Sequence, residues 1–129
     1  MFDGMNIYLA SAGLLTVVTF ALHTFIATSR VATPLLAADC QLSSKSRYTN
    51  YYCWHAITLT LVVQAGCFFW AAMPGKNLDL AVAATVLAIA YLLWNVALNL
   101  WLGPKRSSAP QWMFWVPISA LGIIGLMRG

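Results

Sequence analysis

Residues 80–104 read LAVAATVLAIAYLLWNVALNLWLGP, and no charged side chain interrupts them. Coiled as a helix at about 1.5 Å per residue, the stretch up to Leu102 covers the ~30 Å hydrocarbon core of a bilayer. Gly103-Pro104 then breaks it. The same pattern recurs on both sides. Asn6–Ser29, Tyr48–Gly75 and Ser107–Met127 are also uncharged runs, each with an apolar stretch long enough to span. Every charged residue falls between or outside these runs: Asp3, Arg30, Asp39, Lys45, Arg47, Lys76, Asp79, Lys105, Arg106 and Arg128.

Composition agrees. Of 129 residues, 61% are hydrophobic and 8% charged, and there is no Glu. Soluble domains carry roughly 25% charged residues, so this chain lacks the charges to cover a water-facing surface. The mean hydropathy of +0.77 points the same way. Lipid is the expected solvent, and the expected fold is an all-α integral membrane bundle of four transmembrane helices in a single domain. The net charge of +4 does not indicate a nucleic-acid partner. The basic residues cluster in short loops at membrane boundaries, with no basic stripe for phosphates to follow.

The spans are expected over 6–28, 51–73, 78–102 and 110–127. Pro74-Gly75 ends the second. Pro110 suits the first turn of the fourth, and Pro117 should kink it. The first link is long, about twenty residues (29–50); the other two are tight, which makes helices 2, 3 and 4 antiparallel neighbours. Within the long link, Thr33-Pro34 reads as a cap and a first-turn proline, and Leu35, Leu36 and Leu42 as an interfacial amphipathic turn. Loops 29–50 and 103–109 hold Arg30, Lys45, Arg47, Lys105 and Arg106, against Lys76 and Arg128 on the other side. The positive-inside rule then places these loops in the cytoplasm and both termini in the periplasm of a bacterial inner membrane. Tyr8, Trp70, Trp101, Trp112 and the Tyr48–Trp54 cluster form the aromatic belts. The first span is not expected to be a signal peptide, since Asp3 stands where a basic flank belongs. Lipidation at Cys40 is not expected either, because Asp39 precedes it.

Function, if it is local, should lie among the polar residues inside the bilayer. His23 near the end of helix 1 and His55 near the start of helix 2 fall at similar depth. Asn95 and Asn99, spaced i, i+4 on helix 3, reach the same layer, and Gln111 opens helix 4 there. Thr16 and Thr19 continue the His23 face, and Thr58 the His55 face. Several chemistries could use this layer. His23 and His55 could ligate a b-type haem or another transition metal. They could bind a quinone or lipid headgroup against Trp54, Trp94 and Tyr91, or relay protons. They could equally be interhelical glue, bonded to Asn95, Asn99, Thr58 or a backbone carbonyl. No glycine groove beside either histidine would admit a porphyrin, and no Asp or Glu lies at that depth to complete a zinc site.

Cys53 and Cys67 stand too far apart on helix 2 to bridge, and read as packing residues. With Thr60 and mid-membrane Gln64 they form a second stripe, facing another helix or a partner. Ala81, Ala84 and Ala88, with Gly122 and Gly125, allow close helix approach.

His23-Thr24-Phe25, then Pro34-Leu35-Leu36, then Tyr52-Cys53-Trp54-His55 resembles a group of small uncharacterised bacterial four-helix inner-membrane proteins. In these a helix-1 histidine is followed by a Leu-Leu loop and a Trp-His pair opening helix 2. The resemblance covers the first half of the chain and implies that His23, Trp54 and His55 belong to one site. It names no reaction. Those proteins carry Gly soon after the first histidine, where this chain has Ile26-Ala27.

The expected role is a non-catalytic accessory subunit or membrane component, acting in the bilayer with a larger membrane complex or another copy of itself. The alternatives are a haem-, metal- or quinone-binding redox protein using His23 and His55, and a small transporter or enzyme on a lipophilic substrate. Small multidrug transporters need an acidic residue in helix 1, and membrane eicosanoid and glutathione enzymes an Arg- and Glu-bearing helix 2; both are absent. GxSxG and HExxH are missing too. No catalytic residue is assigned, and the sequence leans away from an enzyme.

Overall fold

The computed structural model describes residues 4–37, 41–102 and 111–129. These residues form four helices and no strand. Helix α1 is Ile7–Ala21, α2 is Ser44–Ala72, α3 is Asp79–Leu102 and α4 is Trp112–Met127. With its extension to Leu36, α1 is long and apolar enough to cross a membrane, and so are α2 and α3. The described part of α4 is 16 residues, or about 24 Å by helix rise. It runs on through Pro117, whose ring costs one backbone hydrogen bond.

The helices pack as a ring. α1 lies against α2 and α4, and α3 against α4 and α2. α1 and α3 therefore stand on a diagonal. The core stripe combines Leu9 and Ala12 of α1, Leu61 and Phe68 of α2, Ala81, Ala84 and Ala88 of α3, and Trp115 and Ile118 of α4. Large apolar side chains such as Leu14, Val63, Val86 and Leu93 point outward. A surface of that kind suits lipid and not water.

Small residues set the close approaches. A Cβ on Gly122 would fall 2.5 Å from the Thr85 hydroxyl of α3, and one on Gly125 would fall 2.5 Å from Leu9 of α1. Gly13 of α1 lies under the Phe69 ring of α2, where a Cβ would come within 3.0 Å. The helix-3 and helix-4 small residues thus pack as the sequence suggests.

At one end of the bundle Asn6 ties three helices together. Its side-chain oxygen caps α1 by accepting from the Leu9 N–H at 3.2 Å. Its Nδ2 donates to the Gly125 carbonyl of α4 at 2.7 Å. Its backbone N–H donates to the Ala72 carbonyl at the end of α2 at 2.9 Å. Nearby, Gly75 turns α2 toward α3 with φ +70, a conformation that favours glycine.

The opposite end differs from the expected twenty-residue loop. Beyond Ala21 the chain continues as π-helix over Leu22–Ala32 and a 3-10 turn over Thr33–Leu36. Pro34 sits in the first turn as expected, but no side chain caps it. Helix α2 starts at Ser44, with Ser43 as its cap accepting from the Ser46 N–H. Its 29 residues measure about 43 Å, more than a bilayer's ~30 Å hydrocarbon core. The first turns, with Lys45 and Arg47, therefore project into the headgroup region. Arg47 closes the corner by donating to the Ala37 carbonyl at 3.1 Å. Leu36 and Leu42 are exposed there. Cys40, Asp39 and the whole 103–109 loop lie outside the described residues, as does Pro110.

Candidate functional site

Depth brings His23 and Trp54 to one level. The Asn6–Ala72 hydrogen bond aligns the far ends of α1 and α2. From there His23 lies about 24 Å along α1, counted from Ile7, and Trp54 about 27 Å along α2, counted from Ala72. In a hydrocarbon core of ~30 Å starting at the aligned ends, both would fall just inside its other edge.

The two rings stack, with centroids 4.2 Å apart and planes 16° from parallel. The His23 Nε2 is 3.2 Å from the Trp54 carbonyl oxygen. A carbonyl only accepts, so Nε2–H donates and the neutral ring keeps its lone pair on Nδ1. The Trp54 indole N–H in turn donates to the Thr28 hydroxyl at 2.9 Å. Thr28 donates to the His23 carbonyl at 3.1 Å. The three residues close a loop between the two helices. The π-helix makes this possible: its i→i+5 register puts the Thr28 hydroxyl under the carbonyl of His23.

His55 follows Trp54 but makes a different set of contacts. Tyr51 meets its ring edge-on at 4.5 Å and 68°. Its Nε2 is buried with no hydrogen-bond partner among the described residues, and so are the hydroxyls of Thr24 and Thr58. Such groups carry an unmet desolvation cost of about 1–3 kcal/mol each.

The α3 candidates stay apart from this pair. Asn95 donates to the Tyr91 carbonyl at 2.9 Å, and Asn99 to the Asn95 carbonyl at 2.8 Å, both within their own helix. Tyr91 stacks on Trp115 of α4, with centroids 4.7 Å apart. Trp94 is exposed on the outer face, and Gln111 is exposed at the start of α4. Thr16 and Thr19 back-bond to the carbonyls of Ala12 and Leu15. Of the six sequence-derived candidates, His23, Trp54 and His55 form one neighbourhood, while Tyr91, Asn95 and Asn99 belong to the α3–α4 side.

Two residues that sequence reasoning passed over are central to these ties. Thr28 is the hinge of the histidine loop; its only sequence signal is a five-residue spacing that matters in a π-helix alone. Asn6 precedes an apolar run, which is a legible cap signal.

Among the described residues, His23, Trp54, His55, Asn95, Asn99 and Gln111 bring no Asp, Glu, Lys or Arg into this layer. Among the described residues no group of three or more His, Cys, Asp or Glu gathers as metal ligands.

A separate feature lies lower, between α2 and α3. Leu59, Thr60, Val63, Gln64, Cys67, Ala83, Ala84 and Leu87 line an open cleft of about 350 Å³ on the outer face. Gln64 is 1% exposed and donates from Nε2 to the Ala84 carbonyl at 2.9 Å. Because that carbonyl must accept, the amide orientation is fixed, and Oε1 is left buried without a partner. No family model, curated protein or solved structure matches the chain.

Proposed function

We propose that this protein is a non-catalytic accessory component of a larger membrane assembly, resident in a bacterial inner membrane. The observation that carries the reading is the closed His23–Trp54–Thr28 loop, which spends the polar groups of these three residues on holding α1 to α2. Asn95 and Asn99 likewise spend their donors on their own helix. Catalysis or ion coupling in a bilayer calls for free ionisable groups at depth. What the molecule offers instead is a large apolar exterior. The excess of Arg30, Lys45, Arg47, Lys105 and Arg106 over Lys76 and Arg128 supports an orientation with the first and third links in the cytoplasm.

The test is photo-crosslinking from outward positions of α3, Val86 and Leu93, in native membranes. One adduct of defined mass at a subset of positions is expected. Uniform labelling by lipid at every position would overturn the reading.

A second reading rests on His55, whose Nε2 is buried and unpartnered, as are the hydroxyls of Thr24 and Thr58. A lipophilic ligand or cofactor with a complementary group would satisfy them. Axial haem ligation by both histidines is less well supported, because the Nε2 of His23 is committed to the Trp54 carbonyl. An absorption spectrum, oxidised and reduced, separates these readings. A Soret band lost in His55→Ala would favour the redox role, and a colourless preparation with blank metal analysis would remove it.

A further inference from the structure

We propose that the α2–α3 cleft binds a neutral, membrane-soluble molecule carrying a hydroxyl group on a slender hydrocarbon body. This does not depend on the accessory role. Three observations converge on it. The cleft, at about 350 Å³, falls at the lower end of the range of small-molecule sites. That volume admits a hydrocarbon chain. The walls are Leu59, Val63, Ala83 and Leu87, with polar atoms concentrated at Thr60, Gln64 and Cys67.

The second observation is the Gln64 amide. Its Nε2 is used by Ala84, and its Oε1 is a buried acceptor with nothing to accept from. In hydrocarbon no water supplies the missing donor. Thr60 donates its hydroxyl hydrogen to the Ala56 carbonyl at 2.9 Å, so its oxygen too can only accept. The vacant chemistry is therefore acceptor chemistry, and a hydroxyl is its complement. The amide forms part of the cleft wall with its oxygen covered, so a bound donor reaches it by a shift of the wall that keeps the Nε2–Ala84 bond.

The third is depth. Gln64 lies about 12 Å along α2 from Ala72, close to the bilayer midplane. Phospholipid headgroups stay at the interface and do not reach this level. Molecules whose only polar group is a hydroxyl, such as isoprenoid or long-chain alcohols and reduced quinones, dissolve there.

Cys67 lines the same cleft and serves as the reporter. The full chain, with Cys40→Ser and Cys53→Ser, is placed in phosphatidylcholine vesicles and alkylated with an uncharged maleimide. Farnesol is the probe and its methyl ether, which cannot donate, the control. Farnesol should slow alkylation of Cys67 at concentrations about 2- to 10-fold below those at which the ether acts, the discrimination one hydrogen bond gives. Gln64→Met should remove the difference between alcohol and ether. The Ala84 carbonyl lies inside a helix and keeps its backbone donor, so this variant is expected to fold. Leu87→Trp, which fills the cleft from α3, should slow alkylation alone and abolish the farnesol effect. Equal action of alcohol and ether, or a difference that survives Gln64→Met, overturns the proposal. Failure of both compounds, with Cys67 shielded in native membranes, overturns it in favour of a partner's side chain in the cleft.

Discussion

Two glycines inside helices should respond to alanine with opposite sign. At Gly125 a Cβ would lie 2.5 Å from Leu9 Cδ2, 2.7 Å from its Cγ and 3.1 Å from its backbone nitrogen. Leu9 is fully buried, and its N–H is held by Asn6, so it cannot simply turn aside. Overpacking of this kind costs about 1–3 kcal/mol. Displacing α1 also strains the Asn6–Gly125 hydrogen bond, at up to about 1 kcal/mol more. Alanine returns about 1 kcal/mol of helix propensity. The net expectation for Gly125→Ala is a loss of about 1–3 kcal/mol. Gly66, in the middle of α2, has nothing within 4 Å of its would-be Cβ. There only the backbone gain of about 0.4–1 kcal/mol remains. Equilibrium unfolding in mixed micelles of rising dodecyl sulfate fraction, followed by tryptophan fluorescence, compares the two. A Gly125→Ala variant as stable as the parent, or a Gly66→Ala variant equally damaged, refutes the packing of α4 on α1 described above.

Trp54→Phe keeps an aromatic face over His23 but removes the donor to Thr28, and should cost about 0.5–1.5 kcal/mol in the same titration. Trp54→Ala should cost more, about 3–5 kcal/mol. Asn95→Leu and Asn99→Leu lose only bonds within α3, so each should shift stability by less than about 0.5 kcal/mol; a large loss would mean that these amides serve another helix. Nitrogen NMR of labelled histidine should find His23 protonated at Nε2 when neutral, and a proton on Nδ1 instead would contradict its bond to the Trp54 carbonyl.

The four helices were legible because charges bracket each apolar run, and hydrocarbon thickness sets the length of such runs. The same signal misplaces helix ends. Ser44–Asn50 is polar and reads as loop, yet it is the start of α2, because a helix is free to continue into the headgroups. Nothing in the composition of Leu22–Ala32 marks it as π-helix; its widened register becomes visible only through the Thr28–His23 bond. For the polar layer, sequence fixes depth through helix rise but not which way each residue faces around the ring. His23, Trp54 and His55 share the α1–α2 contact. Asn95 and Asn99 match them in depth but sit on α3, diagonal to α1, and turn back on their own carbonyls. Gln64 was visible as a mid-membrane polar group; that its amide would reach across to Ala84 follows only from the packing of α2 on α3.

The accessory role is tested most directly by the mass of the species extracted from native membranes in mild detergent, measured by native mass spectrometry. The result expected is a discrete complex in which this 14.1 kDa chain is stoichiometric with at least one other membrane protein. A lone chain would contradict it, and a lone chain carrying a coloured prosthetic group would return His23 and His55 to a redox role.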